Sequence, residues 1–513
     1  MKIFAAINVG SFELSMKIFE MSSKRGVREI DHIRHRINLG TDTYTDGKVS
    51  HERMDELCRY LNEYMEIMKS YQVDDYRAYG TSAVREAENT IIMLDHIRQR
   101  TGINVEVLSN SEQRFLDYKS IAFKGEDFYH FIEKGAAIVD IGGGSIQLSL
   151  FDGDVLMATQ NLRLGVLRIR EILHHVNAGR SRYEALIREM AEGQLSVFQR
   201  LYLKDRRIHN IILVDDYISA VFKKKLFTES IGNRLDVTTF EGIMQKSFAR
   251  ASGELTKTFD MPEEHVELLQ ISYDLLKEIM RMMHTEYLWA PGATLCDGIA
   301  YEYAQKQKMI RAVHDFEEDI VACARNISKR YMGSKKQGGA TEQTALALFQ
   351  AMKKDHGMGS RERLLLMIAA ILHDCGKYIS MGNMGDCSYR IIMATEMIGL
   401  SHEEREMIAR VARYCHLDFE YYDEKGTWDS LDREAYLKVA KLTAILRLAC
   451  GFEGIRNQAQ REIKAVCKEH LLTITVQAEE DLTLVREEFR SRAVFFEEVF
   501  SIKPVMKQRR GLV

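Results

Sequence analysis

Residues 137–150 read AIVDIGGGSIQLSL and residues 6–16 read AINVGSFELSM. Each is a short apolar strand, a polar residue, a turn with glycine and serine, and a second strand of alternating pattern. No other feature narrows the fold as much, because the same hairpin met twice in one chain points to a duplicated subdomain. In the later copy the β-branched run suits a buried strand, and Gly142, Gly143 and Gly144 permit positive φ and close backbone approach. The returning strand places Ile146, Leu148 and Leu150 on one face and Gln147 and Ser149 on the other. Such a turn aims several backbone amides at one spot, which suits an anion such as phosphate, while an aspartate at the strand end can hold a metal or a water beside it. That polar residue is Asp140 in one copy and Asn8 in the other, so one hairpin lacks its acid.

Two phosphate hairpins facing each other across a cleft are the plan of the actin-like, ribonuclease-H-like ATPases and phosphatases. The rest of the chain allows it. At 513 residues it is too long for a single core, and its length implies about three or four domains. With 46% hydrophobic and 28% charged residues the composition is that of an ordinary soluble protein. The longest apolar run, LLLMIAAIL, is about half of what a bilayer requires and meets His373 and Asp374. Glu13 interrupts the mildly apolar start, against a signal peptide. Eight cysteines without paired or CxxC spacing favour reduced thiols and a cytoplasmic location. A net charge of -4 argues against general nucleic-acid binding but leaves room for a polyanionic substrate. Arg34, His35 and Arg36 read either as a small basic channel or as a solvated strand edge.

Residues 3–40 alternate like strands, and 51–71 read as an amphipathic helix with Met54, Leu57, Cys58, Leu61, Met65 and Met68 on one side. DYRAYGTSAVREAENT and NVEVLSNSEQRFLDY each run from strand to helix. Helices are expected over 182–203 and 262–284 with a strand at 210–214, and 305–465 is almost wholly helical in pattern. The tail holds a strand, LLTITVQA, then charged helical segments and the basic KQRR.

The hairpins together with TSAVREAEN resemble the exopolyphosphatase and guanosine pentaphosphate phosphohydrolase (Ppx/GppA) family. INLGTDTYTDGKVSHERMDEL, NLRLGVLRIRE and APGATLCDGIAYEY are similar to further segments of that family, and ILHDCGKYI resembles the HD-type domain of its long members. The resemblance spans nearly the whole chain. It implies an α/β fold of two actin-like subdomains, 1–124 and 125–303, an all-α HD-like domain at 304–466 and a small α+β segment at 467–513. The implied activity is hydrolysis of a terminal phosphoanhydride of inorganic polyphosphate or guanosine pentaphosphate with Mg2+ or Mn2+, by a cytoplasmic homodimer without membrane association. Phosphoryl transfer to water asks a protein for positioning and charge neutralisation rather than covalent work.

Carried over by position, Arg85 is the arginine that clamps phosphate, Glu112 the catalytic glutamate and Asp140 a catalytic and metal-binding carboxylate. Gly142, Gly143, Gly144 and Ser145 form the second phosphate hairpin, and Gly10 and Ser11 are what remains of the first. Several positions depart from the family. Asn8 stands where the first hairpin has its aspartate, leaving a weakened metal ligand, and Gln147 stands for a glutamate. Asp215 and Asp216 replace a glycine pair, where they would repel polyphosphate. Gln113, Arg114 and Phe115 occur where acid, alanine and arginine are common, and Arg114 could restore a lost positive charge.

The HD-type region keeps His373 and Asp374 as a remnant. Gln337 occupies the place of the first histidine ligand, Cys450 that of the closing aspartate, and His416 is the only further candidate, so no metal is expected there. The helical region is expected to extend the substrate channel or to form a dimer surface. Two functions therefore remain: an exopolyphosphatase-like hydrolase, and a weak or inactive polyphosphate- or nucleotide-binding protein on the same frame. A sugar or nucleotide kinase would need an adenosine-binding glycine pair, which is not evident.

Overall fold

The computed structural model describes the chain apart from residues 125–131, 133–134, 153–154, 216, 223–233, 251, 260, 312–313, 334, 423–427, 429, 456–462 and 510–513, and the side chains of 252–253 and 335–338. Asp216 and the side chain of Gln337 thus lie outside the described residues. Two compact units are present, Met1–Asp315 and Phe316–Val513.

The first unit holds two sheets. One contains β1 (Lys2–Val9), β2 (Glu13–Ser22), β3 (Gly26–Arg36), β4 (Asp75–Gly80) and β5 (Val105–Val107) in the order β3-β2-β1-β4-β5. The other contains β6 (Ala136–Ile141), β7 (Ile146–Asp152), β8 (Val155–Leu162), β9 (Asn210–Asp215), β10 (Arg234–Asp236) and β11 (Tyr287–Trp289) in the order β10-β11-β9-β6-β7-β8. In each, the hairpin strand pairs antiparallel with its successor on one side and parallel with a later strand on the other. β3-β2-β1-β4 therefore repeats as β8-β7-β6-β9.

Strands flanked on both sides must bury both faces, which explains their nearly unbroken apolar runs. Ala5, Ile7 and Val9 of β1 enter one core cluster, whereas Phe4 and Ala6 enter another. Helix α1 (His51–Ser70) covers the first cluster with Met54, Leu57, Cys58, Leu61, Tyr64 and Met68. Tyr64 takes the central place in that face because its hydroxyl donates to the carbonyls of Leu14 and Ile33 at 2.9 and 3.2 Å, leaving Met65 half-buried. Helices α2 (Asn110–Lys124), α3 (Val166–His175) and α4 (Glu263–Met283) follow. Helix α5 (Leu295–Lys306) packs Leu295, Ile299, Ala300 and Tyr303 against Phe4, Ala6 and Phe19 of the first sheet. Its Asp297 is fully buried and receives Lys17 Nζ at 3.0 and 3.1 Å.

The second unit includes α6 (Ser360–Leu372), α7 (His402–Tyr414) and α8 (Arg433–Cys450), and closes with a sheet of β12 (Ile463–Lys468), β13 (Leu471–Gln477) and β14 (Lys503–Arg509) in the order β12-β13-β14. The helical pattern thus gives way at Ile463, and the basic tail as far as Arg509 is a strand parallel to β13. A lone strand's alternation is too short to announce itself until a partner supplies its hydrogen bonds. No described helix is long and apolar enough to cross a membrane.

Candidate active site: a cleft between two glycine turns

The two hairpins share their register and the bond that closes each turn. Asn8 lies opposite Ser15 and Asp140 opposite Gln147, and four residues separate the last paired positions, Val9 from Leu14 and Ile141 from Ile146. Each turn is closed by its first glycine: Gly10 N–H donates to the Glu13 carbonyl and Gly142 N–H to the Ser145 carbonyl, both at 3.0 Å. The carbonyls of Ser11 and Phe12 accept from Gly40, Ile37 and Asn38, and those of Gly142 and Gly143 accept from Val166, Leu167 and Arg168 at the start of α3. Because a trans peptide sends its N–H opposite to its C=O, the amides of Phe12, Gly143 and Gly144 point away from those segments. The Ser11 hydroxyl is engaged with Ser82 at 2.9 Å, Tyr44 at 3.0 Å and the Ala83 N–H at 3.2 Å.

Between the turns runs a cleft lined by Asn8, Gly10, Ser11, Asp140, Gly142 and Gly143, with Thr81, Ser82, Gln113, Asp117 and Asp215 among its other walls. Gly144 and Ser145 belong to the turn but do not line the cleft. Asp140 and Asp117 are both buried. The amide oxygens of Asn8 and Gln113 are buried without a hydrogen-bond partner among the described residues, an arrangement that costs free energy unless a ligand or water completes it.

Helix α2 decides which of its acids face the cleft. Gln113 and Asp117 are one turn apart on the same side and both line it. Glu112 does not. Its carboxylate accepts the Ser109 N–H at 3.0 Å while its own N–H donates to the Ser109 hydroxyl at 3.2 Å, a reciprocal cap on the start of the helix. Arg85 also lies outside the lining, donating to the Leu108 carbonyl at 2.6 Å and Asn110 Oδ1 at 2.5 Å. The resemblance implied the base at Glu112; in the helical register it is Gln113 and Asp117 that line the cleft. The spacing of four within a helix starting at Asn110 is the signal that places Gln113 and Asp117 on one face.

Other departures acquire structural partners. Gln147 accepts from Arg114 Nε at 2.9 Å, and the buried Arg114 also donates to the Thr159 hydroxyl, so neither side chain lines the cleft. Gln147 thus joins strand to helix through Arg114. Asp215 lines the cleft, but its carboxylate takes the N–H groups of Tyr217 and Ile218 and the Ser272 hydroxyl, capping a short helix. Of the basic trio on β3, Arg34 lines the cleft, His35 stacks on Tyr60 at 4.2 Å, and Arg36 lies over Phe12 and pairs with Glu264. His32, also in the lining, is lowered to about 4 by burial and by Lys17 and Arg34, and is therefore neutral near pH 7. His373 and Asp374 belong to the second unit, His373 at the end of α6 beside Glu453 at 2.9 Å and Asp374 3.3 Å from Lys377.

The sequence model of the Ppx/GppA phosphatase family matches residues 18–307. The chain belongs to that family. The model of Ppx/GppA phosphatase domain III matches 321–490. A guanosine-5'-triphosphate,3'-diphosphate pyrophosphatase of Photobacterium profundum is 20% identical over 470 residues, 86% of each chain. Exopolyphosphatase 1 of Mycobacterium bovis is 25% identical over 191 residues, 37% of this chain and 54% of that one. Among solved structures, an exopolyphosphatase from Cytophaga hutchinsonii aligns with a TM-score of 0.51 at 17% identity, covering 60% of this chain and 98% of that one. This Ppx/GppA chain thus shares that protein's fold, which matches the actin-like architecture anticipated from the duplicated hairpins.

Proposed function

We propose that this Ppx/GppA protein hydrolyses the terminal phosphoanhydride of inorganic polyphosphate or guanosine pentaphosphate by attack of water in the cleft of its first unit. The observation that carries this reading is the pair of glycine turns, each closed by the same bond from its first glycine, meeting a buried carboxylate, Asp140. Backbone amides of the turns bind and orient the phosphoryl oxygens, where fixed dipoles stabilise developing charge. The cleft's donors are hard oxygens, among them the unpartnered Asn8 amide oxygen, and they fit a hard divalent cation. Asp140 and Asn8 would hold Mg2+ or Mn2+, which supplies charge neutralisation at the phosphoryl group when bound. Asp117, on the cleft face of α2, takes the role of orienting and deprotonating water, with the Gln113 oxygen beside it. Arg34 at the cleft wall contributes attraction for a polyanion.

The test is phosphate release from long-chain polyphosphate and from guanosine pentaphosphate, with magnesium and then manganese. Asp117→Asn and Asp140→Asn are each expected to lower kcat by about 10²–10⁴-fold, whereas Glu112→Gln stays within about threefold of the parent because Glu112 only caps its helix. No release from the parent protein on either substrate sinks the hydrolase reading. Release that vanishes in Glu112→Gln but survives in Asp117→Asn removes Asp117 from its role.

A further inference from the structure

The second unit carries a cluster that the cleft chemistry does not use. A ring nitrogen of His373, Cys450 Sγ and a carboxylate oxygen of Glu453 all lie within 4.8 Å of one another. Cys415 Sγ is 3.1 Å from Cys450 Sγ. His373 is 1% exposed and the two cysteines 3% each, while Glu453 is half-buried at the edge of the cluster. They converge from the end of α6, the residue after α7, the last residue of α8 and the turn beyond it.

Their orientation is informative. His373 Nδ1 is 2.8 Å from the Ala370 carbonyl oxygen, which can only accept, so Nδ1 carries a proton and Nε2 is the nitrogen aimed at Glu453, 2.9 Å away. A metal-bound imidazole has this arrangement: one ring nitrogen fixed by a carbonyl, the other directed at the ion. Glu453 is itself held by the Thr341 hydroxyl at 3.1 Å. His416 donates Nε2–H to the His373 carbonyl at 3.2 Å and stacks on the His373 ring with centroids 5.5 Å apart, which restrains the ring from its other side. The sulfur separation exceeds the roughly 2.05 Å of a disulfide.

We propose that His373, Cys415, Cys450 and Glu453 bind a zinc ion that ties these three helices together. One imidazole, two thiolates and one carboxylate make a four-donor set of the kind zinc accepts in tetrahedral sites. Sulfur donors disfavour magnesium and calcium, and d¹⁰ zinc needs no redox partner. With Cys415 joining the three mutually close donors, all four positions are taken by protein, so the proposed ion is structural rather than hydrolytic. Cysteines at 415 and 450 supply what a missing histidine and aspartate had seemed to take away. Binding releases the protons of both thiols and leaves the His373 Nε2 lone pair on the metal.

The experiment uses the full chain, purified under reducing conditions without chelator from zinc-supplemented medium, with metal content measured by mass spectrometry and with cobalt exchanged in. About one zinc per chain is expected, released by a mercurial reagent, together with an ultraviolet thiolate-to-cobalt charge-transfer band. Cys450→Ser and Cys415→Ser should each weaken that band and lower retained zinc at least about tenfold, while Cys387→Ser, outside the cluster, leaves both unchanged. If the serine variants do not fold, metal content and the cobalt band of the parent protein decide alone. A zinc-free parent without a cobalt band overturns the proposal, as does zinc that persists in both Cys450→Ser and Cys415→Ser. These readouts do not depend on phosphate release, so failure here and failure of the hydrolase reading are separable.

Discussion

Five positions along α2 separate two acids with different fates. Glu112 accepts the Ser109 amide just before the helix, and Asp117 faces the cleft with Gln113. A third acid, Asp274 on α4, is in neither situation: it is buried, and burial followed by Glu184 raises its carboxyl from 3.8 to about 7. The folded protein therefore holds a proton between pH 3.8 and about 7 that the unfolded chain has released. Stability from this group is complete below the unfolded value and is lost as pH rises through the folded one, on the order of 4 kcal/mol in all. Asp274→Asn should remove that loss. Thermal melts are expected to show the variant above the parent at about pH 8 and close to it at about pH 4; a parent advantage at the higher pH would contradict the assignment.

At the scale of elements, the second glycine turn depends on the helix that follows it. The N–H groups of Val166, Leu167 and Arg168 at the start of α3 hold the carbonyls of Gly142 and Gly143 at 2.9–3.3 Å. Such an approach requires Gly165, where a methyl group would overlap the backbone of Gly143, Gly144 and Ser145. Gly165→Ala is expected to cost about 1–3 kcal/mol and to reduce phosphate release, because the turn that binds phosphate must move. Gly193→Ala, in the helix Tyr183–Phe198 with open space around it, should instead gain up to about 1 kcal/mol. Urea midpoints and release rates for the two variants check this; equal effects would show that the contact has no special weight. The pairing of Arg114 with Gln147 acts between the same kinds of elements, joining α2 to β7.

At the scale of the molecule, the division into Met1–Asp315 and Phe316–Val513 predicts that each unit unfolds cooperatively by itself. Calorimetry is expected to resolve two unfolding transitions. Polyphosphate should raise the one belonging to Met1–Asp315, and a zinc chelator should lower the one belonging to Phe316–Val513, since a ligand stabilises only the fold that binds it. A single transition, shifted equally by both additions, would refute independent units.

Contiguous residues determined the duplicated hairpin, the α/β class and the contrast of Asn8 with Asp140, because turn chemistry and periodicity of two are local properties. The helices over most of 316–450 followed from their pattern for the same reason, and the matching turns at Gly10 and Gly142 were visible in their glycines. Only the tertiary structure decided which side of α2 meets the cleft, that Gln147 answers Arg114, and that Lys503–Arg509 becomes a strand. It also brought Cys415, Cys450 and Glu453 to His373. These outcomes depend on groups far apart in the chain and on the rotation of one element against another, quantities that no local run of residues contains.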